Sequence, residues 1–357
     1  MWNDKPRPPG LPDIDWKQVD WKAVLRLREG FLGDQAGRDD YWRNEGDLAT
    51  YDATFAQRIG WKWDFLLADI ARMGWTPGGG RLLDWACGSA IEARRFLSRF
   101  GPQCVRSVAI HDRSSIAMDF AAGKLKSAWP ELAVSRGATA AEGDTVLVSH
   151  VLNELTAGQV DRLVEMLAPA QSILWVEPGT YETSRALIGV RERLRDKFSI
   201  VAPCTHQAVC GLLAPENERH WCHHFASAPA AASMDPDWSR FARHAGIDMR
   251  SLPLSYMVMD KRGPRIGCDP ADPAVPVVPP AFHAYRIIGR PRIYKAYAMV
   301  FGCDQTGVRD YRMMKRHCAE EFRLMKKEES DTLQFWRMQD KDVVEVREGY
   351  PTTNPSP

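Results

Sequence analysis

Residues 81–198 alternate short apolar runs with helix-length segments, and no other feature limits the fold as strongly. Residues 81–84, 105–110, 144–149 and 172–176 read as strands. Residues 90–100, 114–129, 158–167 and 184–198 read as helices, with Gly101-Pro102 and Pro130 closing the first two. Successive strands separated by whole helices run parallel, and the helices cover both faces of the sheet. The expectation is an α/β fold around a parallel sheet.

Upstream, residues 1–76 read as a Pro-rich arm and a helical region, with helices near 21–30 and 55–70. Phe55, Ile59, Trp63, Leu66, Leu67 and Ile70 recur there at helical spacing. The sheet domain is expected over 77–262, interrupted by a cysteine-rich segment at 202–225. A helix at 238–245 and a strand at 254–260 resume the rhythm, and a Pro-rich linker follows at 263–280. A smaller basic region spans 281–347, with strands at 284–288 and 294–303 and a basic helix at 311–327. The tail after Gly349 reads as disordered.

The 47 basic and 46 acidic residues nearly cancel, so any nucleic-acid surface must be a local patch. No apolar run approaches the roughly 20 residues that cross a bilayer. A soluble, cytoplasmic protein with no membrane partner is the expectation.

The turn after the first strand, Asp84-Trp85-Ala86-Cys87-Gly88-Ser89-Ala90, carries the most chemistry. Small residues let the backbone approach a ligand closely. An acid at the strand end suits a ligand amino group, and helix N-terminal amides suit a carboxylate. Asp112 ends the next strand, where such folds reach ribose hydroxyls. Ser149 ends the third and would face the reacting end of a cofactor. Asp84, Ala86, Gly88, Ser89, Asp112 and Ser149 are therefore the expected cofactor residues, and S-adenosylmethionine (SAM) the expected cofactor. The full expectation is a class I SAM-methyltransferase (Rossmann-like) sheet with N-terminal helices, a cysteine-rich metal insertion and a small C-terminal β region. NAD fits less well, because its fingerprint needs three glycines and this turn has Gly88 alone. Asn153 and Glu154 stand near the entry of a methyl acceptor, as catalytic candidates or as caps of the next helix.

Cys204, Cys210 and Cys222 are spaced to turn three thiolates toward one point. A closed four-thiolate site needs a fourth, and Cys303, Cys268 and Cys318 compete for the place. Thiolates suit an iron-sulfur cluster or zinc. His206, His220, His223 and His224 keep a Cys3His zinc site open. Farther on, Arg286, Arg290, Arg292 and Lys295 alternate with Tyr285, Tyr294 and Tyr297 around an expected hairpin. Arginine interleaved with aromatics suits phosphate contact and base stacking, hence RNA. A second basic group, from Arg309 to Lys327, is offset by glutamates and reads as a solvated face.

The run from Asp144 to Leu155, with its Ser149-His150-Val151-Leu152-Asn153-Glu154-Leu155 core, and Val176-Glu177-Pro178-Gly179-Thr180 resemble signatures of the methyltransferase-like small-ribosomal-subunit assembly proteins. The likeness continues through Cys204, Cys210, Trp221-Cys222-His223, residues 286–291 and Cys303. It implies a SAM-type fold, a cluster (4Fe-4S) on four cysteines with Cys303 as the fourth, and work on small-subunit ribosomal RNA. The family loop usually has glycine where this chain has Ala86 and Ala90. The chain is thus expected to act as an rRNA methyltransferase, or as a non-catalytic assembly factor that keeps the fold as an RNA platform. A small-molecule methyltransferase is a further alternative.

Overall fold

The computed structural model describes residues 13–32, 42–263 and 281–347. The Pro-rich linker, Cys268 and the C-terminal tail lie outside the described residues. In chain order the elements are α1 (Trp21–Leu32), α2 (Glu45–Ala53), α3 (Phe55–Arg72), β1 (Arg81–Trp85), α4 (Ile91–Phe100), β2 (Ser107–His111), α5 (Ser115–Ala128), β3 (Val134–Arg136), β4 (Thr145–Ser149), α6 (Ala157–Leu167), β5 (Ser172–Pro178), α7 (Tyr181–Leu194) and β6 (Ser199–Ala202). Then come β7 (His224–Ala226), α8 (Ala230–Met234), α9 (Pro236–Ala245), β8 (Leu252–Asp260), β9 (His283–Ile287), β10 (Arg292–Ile293), β11 (Tyr297–Asp304), β12 (Gly307–Met314), α10 (Ala319–Lys327), β13 (Leu333–Gln339) and β14 (Asp342–Arg347).

The chain divides into two compact units. One holds Met1–Leu67, Pro77–Ala170 and Phe225–Leu254; the other holds Ala68–Thr76, Gln171–His224 and Ser255–Pro357. In the first, strands run in the order β3-β2-β1-β4, all parallel. The short β3 was not expected from the sequence. The β4 run Thr145-Val146-Leu147-Val148-Ser149 is buried at every position, as a strand covered on both faces must be. Helix starts are chemically marked. Ser114 caps α5, Asp235 with Pro236 opens α9, and Thr156 with Gln159 forms a capping box on α6. A tryptophan cluster packs the N-terminal helices, with Trp16 and Trp61 both against Trp238, at 5.1 and 5.0 Å between ring centroids.

In the second unit β5, β8 and β6 lie side by side, with β8 antiparallel to β6. These partial strand orders are those of a class I SAM-methyltransferase sheet with one reversed strand beside the last. The later strands of this unit form a closed barrel. β9 pairs β11, β11 pairs β12, β12 pairs β14, β14 pairs β13, and β13 returns to β9. Only the β12–β14 pairing is parallel. Tyr285, Val300, Tyr311, Met313, Phe322 and Trp336 fill its core. A Cβ at Gly302 would press within 3.0 Å of the Tyr311 ring and 3.3 Å of Trp336, so a side chain there would have to push the packed rings aside. The expected helix at 311–327 is in fact the end of β12, a turn and α10: Tyr311 and Met313 point inward at strand period, which the helical reading overlooked.

Candidate functional site

The carboxyl ends of β1, β2 and β4, where ligands bind in open α/β sheets, gather most of the expected cofactor residues. Asp84 pairs in register with Leu147 of β4 and Ile110 of β2. It is fully buried, and neither carboxylate oxygen meets a hydrogen-bond donor at normal geometry. Burial pushes its pKa up to about 8, with the Asp112 charge adding and contacts to Glu92 and the Ala93 amide opposing. Glu92, missed in the sequence because acids at a helix start are usually solvated, is equally buried. Desolvation, then the Asp84 charge, hold it well above its usual range. The two carboxyls face each other, so their titrations are joint.

The loop itself is held by its neighbours. The Cys87 amide donates to the His111 carbonyl at 2.9 Å. The Gly88 amide donates to Asp112 Oδ2 at 3.0 Å and the Ser114 amide to Oδ1 at 2.9 Å. Asp112, expected to reach ribose hydroxyls, thus spends one lone pair of each oxygen on fixing the loop and keeps the rest for a ligand. Ser89 Oγ is buried without a partner. Ala86 and Ala90 have φ of 63° and 56°, the left-handed region that favours glycine, and each is strained there by its Cβ. Cys87 is buried, and desolvation raises its pKa well above the usual thiol value, which makes it a packing residue rather than a nucleophile.

Ser149 lies two residues beyond Leu147, on the same face of the sheet as Asp84. Trp63 Nε1 donates to Ser149 Oγ at 3.0 Å, and His150 Nδ1 stands 3.1 Å from the same oxygen. His150 Nε2 in turn lies 3.1 Å from Lys62 Nζ. Lysine offers only donors, so Nε2 must accept and Nδ1 carries the proton. Ser149 then accepts twice, and its own proton is left for a ligand in the crevice. Desolvation, with Lys62 and Arg58 facing the ring, keeps His150 neutral. Lys62 and Trp63 could not be found from sequence, since their partners lie over 80 residues away.

Of the two readings of Asn153 and Glu154, the helix cap is the one the structure corrects. Asn153 is exposed, and Glu154 approaches Arg113 at 4.0 Å. Neither caps α6, because Thr156 does.

In the second unit, α7 organises the cysteine-rich segment. Ser184 Oγ donates to the Cys222 carbonyl, Arg185 to the Leu212 carbonyl, and Arg191 to the Ala208 carbonyl at 2.8 Å. The Cys210 amide donates to Glu192 at 3.1 Å. At residue 211 a Cβ would meet the Gly307 backbone at 2.8 Å, and this close approach brings the loop against the start of β12. Cys210, Cys222 and Cys303 pack in one apolar cluster with Ile188, Leu212 and Ile288. Burial raises the Cys210 thiol to about 11, with Cys204 adding. Burial and the other three sulfurs raise Cys303 well above the ordinary thiol value. Burial works against the Arg191 charge, yet the neighbouring Cys204 and Cys210 sulfurs hold it up. His206 Nε2 lies 3.6 Å from Cys303 Sγ, and His224 Nε2 3.8 Å from Cys222 Sγ. His220 instead packs on Phe301, and His223 stacks on Trp221. Cys318 sits in the barrel core, bonded to the Val343 carbonyl, and is no ligand candidate. Among the described residues no three of these groups are drawn into a ready coordination shell. The donor set, soft sulfur in an apolar pocket beside a guanidinium, fits a thiolate-bound metal or cluster.

Arg286, expected to touch RNA, does not reach the surface. Its side chain is 1% exposed and pairs with Asp69 at 3.1 Å. It also donates to the Pro203 carbonyl at 2.7 Å, just before Cys204. Its partner Asp69 is 217 residues away, so the local sequence shows only a cation among aromatics. Arg290, Arg292 and Lys295 are exposed, the first two paired with Glu328 and Asp310.

The strand orders define a Rossmann-like fold of the class I SAM-methyltransferase type. Residues 107–331, more than half of the chain, match the family described as mitochondrial small ribosomal subunit Rsm22. The chain belongs to that family. No curated protein matches the sequence closely enough to count as a relative. Among solved structures, the provisionally assigned RNA methyltransferase PH1948 from Pyrococcus horikoshii is similar at 11% identity and TM-score 0.35, over 70% of this chain and 98% of its own. Thermoplasma acidophilum 1320 is similar at 12% identity and TM-score 0.34, over 68% of this chain and 98% of its own. M. capricolum TrmK, solved with S-adenosyl-homocysteine, is similar at 6% identity and TM-score 0.30, over 56% and 69%. No helix among the described residues is long and apolar enough to cross a membrane.

Proposed function

We propose that this chain binds SAM in the β1–β2–β4 crevice and works on small-subunit ribosomal RNA as a methyltransferase. The observation that carries the reading is the set of buried polar atoms there that no protein donor meets at normal hydrogen-bond geometry, both Asp84 oxygens and Ser89 Oγ. Buried polar groups cost free energy unless something bonds them, so an absent ligand is the natural partner. SAM would supply an already activated methyl group. The chain's part is to bind and orient. Asp84, once ionised, takes the ligand ammonium. The Ser89 and Ser149 hydroxyls donate to ligand oxygens. Asp112 keeps lone pairs for ribose hydroxyls, and the Gly88 turn lets the ligand close on the backbone. The ribosomal target comes from the family, whose name is that of a small ribosomal subunit protein.

Cys204, Cys210, Cys222 and Cys303 are assigned in the same reading to an iron-sulfur cluster of the 4Fe-4S kind, with Arg191 beside it. Zinc is the alternative, with His206 or His224 as a nitrogen ligand. A non-catalytic assembly role keeps one specific support, the two alanine methyls in the cofactor loop.

Calorimetry with SAM and S-adenosyl-homocysteine tests the crevice. Binding that disappears in Asp84→Asn is expected; a wild-type chain that binds neither ends the reading. Mapping rRNA methylation in a deletion strain then separates enzyme from platform: a lost mark means methyl transfer, while lost subunits with all marks intact mean a platform. Anaerobic purification with iron, sulfide and zinc analysis tests the thiols. Iron with sulfide, absent from Cys210→Ser, is expected; stoichiometric zinc without sulfide would remove the cluster.

A further inference from the structure

The closed barrel of the second unit has a specific topology. Numbered along the barrel, β9, β11, β12, β13 and β14 are strands one to five. Strand one pairs with two and four, three pairs with two and five, and only the three–five pair is parallel. A helix, α10, links strands three and four. That is the arrangement of the OB fold, whose second and third strands and flanking loops hold oligonucleotides. Here those strands are β11 and β12, and the loop joining strands one and two carries β10.

The outer face of these strands has the matching chemistry. Alternation along β11 sends Ala298 and Val300 inward and turns Tyr297 and Met299 out. Across the strands, Arg292 is level with Met299 and Met299 with Arg312, so two guanidiniums flank one apolar side chain. In the next row Tyr297 is level with Met314. Tyr294, 46% exposed, stacks on Tyr297 with ring centroids 4.7 Å apart and planes 21° apart. Residues 290–316 contain seven basic side chains and two acidic ones, in a chain whose total is nearly neutral. Carboxylates beside these cations are Asp310, paired with Arg292, Asp342, paired with Arg312 at 2.6 Å, and Glu328, paired with Arg290. These pairs are surface contacts that a phosphate can exchange into.

We propose that this unit is an OB-fold module that takes an unpaired RNA strand across β10, β11 and β12. Bases stack on the Tyr294–Tyr297 ladder, and phosphates meet Arg292, Arg312 and Lys295. The module deepens the ribosomal reading, on which its choice of RNA rests, and requires neither SAM nor a metal. A duplex presents no free base faces to the tyrosines, so paired RNA binds weakly here.

The test uses the full chain and a fluorescent unstructured 12-nucleotide RNA, with the same sequence as a duplex for comparison. Single-strand binding exceeds duplex binding by roughly tenfold or more. Tyr297→Ala weakens single-strand binding about tenfold. Arg292→Gln and Arg312→Gln each lower the salt slope by about 0.7, the single-strand value per phosphate contact. Melting curves and S-adenosyl-homocysteine binding stay unchanged in all three, which separates lost contact from lost fold. Equal binding of duplex and single strand overturns the proposal, as does full RNA affinity in the tyrosine and arginine variants. A wild-type chain that binds no RNA overturns it together with the ribosomal reading, whereas RNA binding retained in the variants overturns the barrel assignment alone.

Discussion

Asp84 and Asp69 are both aspartates with almost no exposed surface, one in each unit, and their carboxyls move in opposite directions. Burial alone raises both. At Asp69 the Arg286 guanidinium and the Tyr256 hydroxyl outweigh burial and hold the group below its usual range. At Asp84 nothing comparable answers, and the group rises to about 8 beside Glu92 and Asp112. A completed ion pair belongs to structure. An acid left unanswered in a crevice is held ready for a partner from outside. The sites nearby follow suit. Arg286 fixes the carbonyl before Cys204, whereas Asp84 sits under a loop strained at two alanines.

The largest expected effect breaks the completed pair. Arg286→Met leaves Asp69 buried and uncompensated, at about 3–5 kcal/mol of stability. Urea denaturation measures it, and the Asp69→Asn, Arg286→Met double variant loses less than the two singles together. A loss below about 1 kcal/mol would mean that the pair is not structural.

The next effect is pH dependence, with opposite sign at the two acids. In the folded state Asp84 and Glu92 hold protons that the unfolded chain has released. Stability therefore falls as pH rises from the ordinary carboxylate range toward 8, by at most about 1.4 kcal/mol per pH unit for each proton involved. Asp84→Asn flattens that slope. Asp69 contributes the reverse, stability present at neutral pH and lost as pH drops through its lowered pKa. Ligand binding follows Asp84: a ligand ammonium needs the ionised carboxylate, so S-adenosyl-homocysteine binds more tightly as pH approaches 8. A wild-type stability curve as flat as that of Asp84→Asn defeats this account.

How much of this was legible in the sequence depended on how far apart the partners lie. Asp84, Gly88 and Ser89 fall in one turn, and Asp112 ends the following strand, so short spacing revealed them. Cys204, Cys210 and Cys222 were visible for the same reason, whereas Cys303 rested on the family likeness. The links that decide charge states were not visible. Trp63–Ser149, Lys62–His150 and Asp69–Arg286 join residues 86, 88 and 217 positions apart. The barrel was half seen. The alternating run Asp342–Arg347 and its turn at Asp340 were overlooked because polar outward positions mask strand period. The reading of residues 311–327 as one helix hid the strand that closes it.

The smallest expected effect sharpens the contrast from the strained side. Ala86 and Ala90 occupy the left-handed region at a Cβ cost of about 1 kcal/mol each. Ala86→Gly and Ala90→Gly relieve that cost while loosening the unfolded chain, so each raises stability by at most about 1 kcal/mol. The two variants also separate strain from ligand chemistry. If the alanine methyls only strain the loop, melting temperature rises and S-adenosyl-homocysteine affinity holds. If they also crowd the crevice, affinity rises with it, and the loop was closed against its cofactor by two methyl groups. Ala90 is fully buried and its amide bonds back to the Cys87 carbonyl at 2.5 Å, so its methyl has the less room to move and Ala90→Gly shows the larger gain.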